Sequence, residues 1–307
     1  VAVGPSSGAR RCGWRWGARV GGGAVFDRFA VRPDGAFGGP VIKAGKDFDA
    51  GRTVELPVPG VNAAHYIVGG SSRAGKSEFA HSVLAQVAPL EHTAIVISDP
   101  AFLDYETVWE ARASCIALGR TGAGWMLDQM EREFHWRLRQ GRKLRVKTLP
   151  ATAETPYLLG VFDEIAMVTL AGVKGATNRL IDLAQVGRKA GIGLLLMTQS
   201  PKATVIPRLV MENCPVRVCF RTEEPEQTDA VLGTQRIKAH DIPHNRPGEA
   251  YIRTPEGEFA HVKTPLTGEE KCRQIAERYA HLAPVLPESR GWMPLYDPYE
   301  QGDEDGE

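Results

Sequence analysis

Residues 70–77 read Gly70-Ser71-Ser72-Arg73-Ala74-Gly75-Lys76-Ser77, which fits Gly-x4-Gly-Lys-Ser. That spacing suits the wrapping of a phosphate chain. The glycines let successive backbone N–H groups turn inward, the lysine reaches the β- and γ-oxygens, and the serine hydroxyl is offered to Mg2+. The positive end of a following helix adds to the attraction. All eight are candidate nucleotide ligands, with Lys76 also catalytic and Ser77 also a metal ligand.

Two apolar runs end in polar residues that fit the same chemistry. Residues 157–162 (YLLGVF) deliver Asp163 and Glu164, and residues 194–197 (LLLM) deliver Thr198 and Gln199. Open α/β sheets gather ligands at the carboxyl ends of their strands. Asp163 is therefore a candidate for the Mg2+ shell and Glu164 for the base that polarises the attacking water. Gln199 is a candidate to sense the γ-phosphate or orient that water. A nucleotide switch gains nothing from a strong hydrolytic base, so Glu164 favours a motor over a switch. A kinase is disfavoured because no lid or acceptor-pocket signal is evident.

Positioning these residues takes alternating strands and helices. The patterns predict an edge strand over 52–58, a strand over 65–68 leading into the loop, and a helix over 78–87. Strands follow at 93–98 and 114–118, then a helix over 124–140 and a strand over 157–162. A helix over 178–190, strands at 193–198 and 216–220, a hairpin over 248–263 and a helix over 269–282 complete the reading. Near-continuous apolar strands alternating with helices imply a mostly parallel sheet covered on both faces. The 87 residues from Lys76 to Asp163 leave room for an intervening strand–helix unit. No internal repeat is evident.

In order, the strings HYIVGGSSRAGKSEFAHSVL, VISDP, DQMEREF, PYLLGVFDEIA, LAQVGRKAGIGLLLMTQSP and NCPVRVCFR resemble the FtsK/SpoIIIE DNA-translocase ATPases. Within that family the chain is most similar to the short FtsK-domain transfer proteins of actinobacterial conjugative plasmids. The likeness covers roughly residues 54–265. It implies a RecA-like P-loop core that uses ATP and Mg2+, assembles as a homo-hexamer and holds double-stranded DNA in its pore. A separate membrane protein at the transfer site would be a further partner. Such motors complete the site with an arginine from the neighbouring subunit, for which Arg132, Arg188 and Arg221 are all candidates. The loop after the second acidic motif lines the pore in the family, so residues 169–179, with Lys174 and Arg179, are candidate DNA contacts. Related ATPases drive protein secretion, usually with several motor domains in one chain, and that cargo stays open as the alternative.

The chain departs from the family in places. Arg73-Ala74 replaces the commoner Gly-Ser, and Ser200 stands where Arg is frequent. Forty-two residues follow Pro265, too few for a typical winged-helix module.

The composition excludes other classes. Hydrophobic residues make up 43% and charged residues 24%, as in ordinary globular chains. Thirty-seven basic residues balance 37 acidic ones, which excludes a uniformly basic nucleic-acid binder. The balance is local cancellation: residues 132–147 carry seven Lys/Arg against one Glu, whereas 268–307 carry ten acids against four bases. The basic segment is a candidate DNA- or lipid-facing patch or a solvated helix face. The expected organisation is a flexible basic leader over 1–30, the ATPase domain over 31–265, and a helix with an acidic tail over 266–307. In the leader, Trp14 and Trp16 among arginines suit nucleic acid or an anionic membrane. Five scattered cysteines fit a reducing cytoplasm, and no 18-residue apolar run is present. The expected location is cytoplasmic, with a peripheral position at the membrane as the variant.

Overall fold

The computed structural model describes residues 40–61, 65–102, 104–170, 173–202 and 204–298. The expected leader, with Trp14 and Trp16, lies outside the described residues.

Eleven strands form one sheet: β1 (Val41–Asp47), β2 (Thr53–Pro57), β3 (Tyr66–Gly69), β4 (Thr93–Asp99), β5 (Cys115–Leu118), β6 (Tyr157–Phe162), β7 (Ile192–Thr198), β8 (Val216–Phe220), β9 (Glu249–Arg253), β10 (Phe259–Lys263) and β11 (Leu295–Tyr296). Eight helices accompany them: α1 (Lys76–Val87), α2 (Glu106–Trp109), α3 (Gly119–Leu144), α4 (Ala166–Thr169), α5 (Ala176–Val186), α6 (Arg208–Glu212), α7 (Pro225–Leu232) and α8 (Glu269–Arg278). The strand order is β11-β5-β4-β6-β7-β3-β8-β9-β10-β1-β2. From β11 to β8 neighbours run parallel, and from β8 to β2 antiparallel.

The expected α/β architecture is present, with alternate strand residues feeding opposite faces. Tyr66, Val68, Leu159, Val161, Leu195 and Met197 pack with α1, α2 and α8. Ile67, Leu158, Phe162, Leu194 and Leu196 pack with α3, α5 and α7. Burial on both sides is why the central strands read as unbroken apolar runs.

Several boundaries differ from the sequence expectation. Helix α3 begins at Gly119 rather than 124, because Gly122 approaches β5 so closely that a Cβ there would lie 2.9 Å from the Ala117 carbonyl carbon. Gly122 and Gly124, the latter with its Cβ position 3.1 Å from Val173, are packing residues, not breakers. The expected helix over 178–190 is α5 plus a 3-10 turn over Gly187–Ala190. β1 was not anticipated. Its register shifts between Lys43 and Gly45, and a Cβ on Gly45 would stand 2.8 Å from the Lys263 carbonyl oxygen, so the bulge hides the alternation.

The segment beyond 265 is no separate tail within the described residues. Cys272 and Ala276 of α8 enter the core, Leu286 and Trp292 are buried, and β11 adds to β5 in parallel. It also takes one basic residue of the segment 132–147 off the surface. Arg137 is 1% exposed and donates to Glu133 Oε1 at 2.7 Å, while Arg290 donates to Glu133 Oε2 at 2.8 Å and Trp292 to the same oxygen at 3.3 Å. The Arg290 guanidinium also lies 4.0 Å over the Trp136 ring. Arg132, Arg139, Arg142, Lys143, Arg145 and Lys147 remain exposed.

Candidate functional site

β3 sits in the middle of the sheet and delivers residues 70–75 to its carboxyl edge. The strand is apolar because both its faces are covered, and the chain turns there because its glycines allow it. Gly70 has φ 155° and Gly75 φ 121°. A Cβ on Gly75 would meet the Gly248 nitrogen at 2.8 Å, and one on Gly70 the Phe220 Cβ at 2.7 Å. The loop is tied down on both sides. Gly70 N–H donates to the Thr198 carbonyl at 3.3 Å, Ser71 N–H to Arg221 at 2.7 Å, and Gly248 N–H to Ala74 at 2.8 Å.

α1 starts at Lys76 with Gly75 as its N-cap and no side-chain cap. The first N–H groups of such a helix have no intrahelical acceptor and suit an anion. Lys76 is 7% exposed, and its Nζ donates to the carbonyls of Gly70 and Ser71, both at 2.9 Å. Burial pulls its pKa down, and Asp163 and Glu164 pull it back up. Ser77 follows in the first turn, half-buried.

β6 ends beside this loop, separated from β3 only by β7. Burial raises the Asp163 carboxyl to about 6, further raised by Asp104 and Asp99 and opposed by Tyr105 and Lys76. Tyr105 Oη donates to Asp163 Oδ1 at 2.9 Å. Glu164 accepts Ala166 N–H at 3.2 Å through Oε1 and Gln199 N–H at 2.8 Å through Oε2. The expected neighbourhood of the β6 and β7 ends is present, and it joins the candidate base to the candidate sensor by a backbone bond.

The loop, Asp163, Glu164 and Gln199 thus converge on one edge. The arginine candidates separate. Arg221 lies beside this chain's own loop, its guanidinium held by Glu223 at 2.7 Å and near His244 at 3.5 Å. Arg188 is exposed after α5, and its charge acts on His65, at the opposite end of β3. Arg132 is exposed on α3. The expected loop over 169–179 is shorter in the structure: α4 includes Thr169 and α5 begins at Ala176. Lys174 is exposed between them, whereas Arg179 sits in α5 and pairs with Asp128 and with Glu131, the latter at 2.9 Å. Tyr105, Asp99 and Asp104 around Asp163 were not anticipated as site residues. Asp99 falls in the VISDP string, but nothing local marks Tyr105.

The residues fit a Mg2+–nucleotide. The loop leaves no room for Cβ atoms at Gly70 or Gly75, an uncapped helix end faces it, and a buried carboxylate stands nearby. Such a donor set can bind phosphates through Lys76 and the loop amides, and a hard cation through Ser77 and Asp163.

Comparison with known proteins agrees. A DNA translocase FtsK of Corynebacterium glutamicum is 27% identical over 216 residues, covering 62% of this chain and 23% of that protein. One of Helicobacter pylori strain J99 is 26% identical over 265 residues, covering 78% of this chain and 30% of that protein. These FtsK translocases are its homologues. The chain spans under a third of their length. No family model matches the chain. Among solved structures, the pCW3 conjugation coupling protein TcpA, in monomer form with ATPγS, aligns with TM-score 0.66 at 20% identity, covering 79% of this chain and 70% of that one. The cytoplasmic domain of the Thermomonospora curvata type VII secretion ATPase EccC aligns with TM-score 0.68 at 20% identity, covering 84% and 32%. At that identity both likenesses speak to fold alone, and the fold is the P-loop α/β core expected from the sequence.

Proposed function

We propose that this chain is an ATP-hydrolysing motor that moves double-stranded DNA, in the manner of FtsK and in the setting of plasmid conjugation. The observation that carries the reading is the convergence of Lys76, Asp163, Glu164 and Gln199 on one edge of a P-loop sheet in a homologue of FtsK. Lys76 and the loop amides would hold the phosphates of ATP. Ser77 and Asp163 would hold Mg2+, which offsets negative charge on the phosphates. Glu164 would accept the proton of the attacking water, and Gln199 would report on the γ-phosphate.

The active form in this reading is a homo-hexamer, each site completed by a neighbour's arginine. Of the three candidates, Arg188 and Arg132 suit an action in trans best, since Arg221 stands beside its own loop. Lys174 is the better placed DNA contact, because Arg179 is already engaged by two carboxylates. Grip on the duplex would be through phosphates and largely independent of sequence. Cys115, Cys214, Cys219 and Cys272 are free and buried, which suits a reducing cytoplasm. Among the described residues no helix is long and apolar enough to cross a membrane. A separate membrane protein at the transfer site is a further partner in this reading.

The decisive experiment is ATPase activity with and without duplex DNA across a salt series. Turnover rises with duplex and the stimulation fades as salt is added. Turnover indifferent to DNA at low salt, yet stimulated by a secreted protein, would replace the DNA cargo with protein. Binding of ATP without turnover would make the chain a switch.

A further inference from the structure

Tyr105 lies between β4 and α2 with its ring fully buried. Its hydroxyl donates to Asp163 Oδ1 at 2.9 Å, across two adjacent strands. Two contacts hold it in place. Its backbone N–H donates to Asp99 Oδ2 at 2.9 Å, and its ring lies 5.0 Å from the His81 ring of α1. His81 is itself fixed, because its Nδ1 accepts the Trp109 indole N–H at 2.8 Å. The hydroxyl is therefore delivered to Asp163 by packed elements on the α1 face, not by a mobile surface side chain.

A carboxylate at a strand end can rotate about its Cβ–Cγ bond. With Oδ1 engaged by a fixed phenol, that rotation is stopped. Hydrogen-bond partners behind a metal ligand orient it and tune its affinity, and losing one typically weakens metal binding about 10–100-fold.

We propose that Tyr105 is a positioning residue for the Asp163 carboxylate and thereby sets the Mg2+ affinity of the nucleotide site. This rests on the reading of that site as one for Mg2+–nucleotide. Tyr105 would touch neither the metal nor the phosphates, so its effect is confined to the metal-dependent part of nucleotide binding.

The test uses the full chain and a fluorescent ATP analogue. Binding is measured in EDTA and then along a MgCl2 titration, for wild type, Tyr105→Phe and Tyr157→Phe. The control removes a half-buried tyrosine's hydroxyl that donates to the Pro59 carbonyl at the far end of the strand leading to Asp163. In Tyr105→Phe the MgCl2 midpoint rises about tenfold or more, while binding in EDTA stays at the wild-type level. In Tyr157→Phe neither changes. A wild-type midpoint in Tyr105→Phe overturns the proposal. So does an equal shift in Tyr157→Phe, or a Tyr105→Phe protein that does not fold, since either makes the hydroxyl merely structural. If wild type itself shows no Mg2+-dependent nucleotide binding, the site reading fails and takes this proposal with it. A responsive wild type with an indifferent Tyr105→Phe sinks this proposal alone.

Discussion

The Glu164 carboxylate accepts the Gln199 backbone N–H at 2.8 Å, so the acid at the end of β6 is fastened to the end of β7. Those two strands pair directly, and β7 pairs in turn with the strand that carries the phosphate loop. A shift at the end of β7 would therefore move the Glu164 carboxylate relative to the loop.

Glu164→Gln retains one carbonyl oxygen able to accept that same N–H, giving up only the longer bond from Ala166, while basicity is lost. Expected is ATP binding at the wild-type level with turnover slowed about 10²–10⁴-fold. Single-turnover hydrolysis beside equilibrium binding checks it; a rate near wild type removes Glu164 from the role of base.

Lys76→Ala removes the ammonium that now rests on the Gly70 and Ser71 carbonyls. Hydrolysis is abolished, and the fold persists because the lysine contributes little to the core. Activity and a thermal melt decide it, and unchanged turnover would take the loop out of the chemistry.

Glu133→Ala strands Arg137, fully inside the protein, without its carboxylate, and frees Arg290 and Trp292 from their shared acceptor. Removing one partner of a buried pair costs about 3–5 kcal/mol. Urea unfolding reads the loss. Limited proteolysis should also cut within residues 286–298, which wild type protects; resistance there would contradict the role of Glu133 as anchor.

His65 is buried with Nδ1 accepting Leu194 N–H at 3.1 Å, and among the described residues its Nε2 has no partner. Burial, with help from Arg188, lowers its pKa from 6.5 to about 4. The unfolded chain thus binds the proton more readily. Stability from this group is complete above about pH 6.5 and lost as pH falls towards about 4. Between pH 7.5 and pH 5 the expected loss is about 2 kcal/mol. His65→Asn, which keeps an acceptor for Leu194, should flatten that part of the curve; an equally steep variant would assign the slope to other groups.

How much of this was legible depended on how local each signal was. The loop, Lys76, Asp163 and Gln199 stand where a short apolar strand ends, and strand ends can be read from a few residues. β1 was hidden by its bulge at Gly45, and the start of α3 by glycines that serve close packing. Residues 286–298 read as a Pro-rich tail because the partners of Arg290 and Trp292 converge on Glu133, more than 150 positions away. Tyr105 was invisible for the same reason, since its meaning lies in Asp163, 58 positions on. The pairing of Arg179 was not legible because its partners Asp128 and Glu131 lie on α3, about fifty positions back.

The two margins of the sheet bear on how copies of this protein can meet. Among the described residues, β2 forms one margin and carries Glu55 and Pro57, while at the other β11 is only two residues long and runs into Asp297 and Pro298. Short strands, charges and prolines at a margin discourage a further strand from adding on. In the assembly proposed above, subunits would therefore meet through side chains on helices and loops, an arrangement that can slide and re-form as neighbours change state, instead of being zipped into one continuous ribbon.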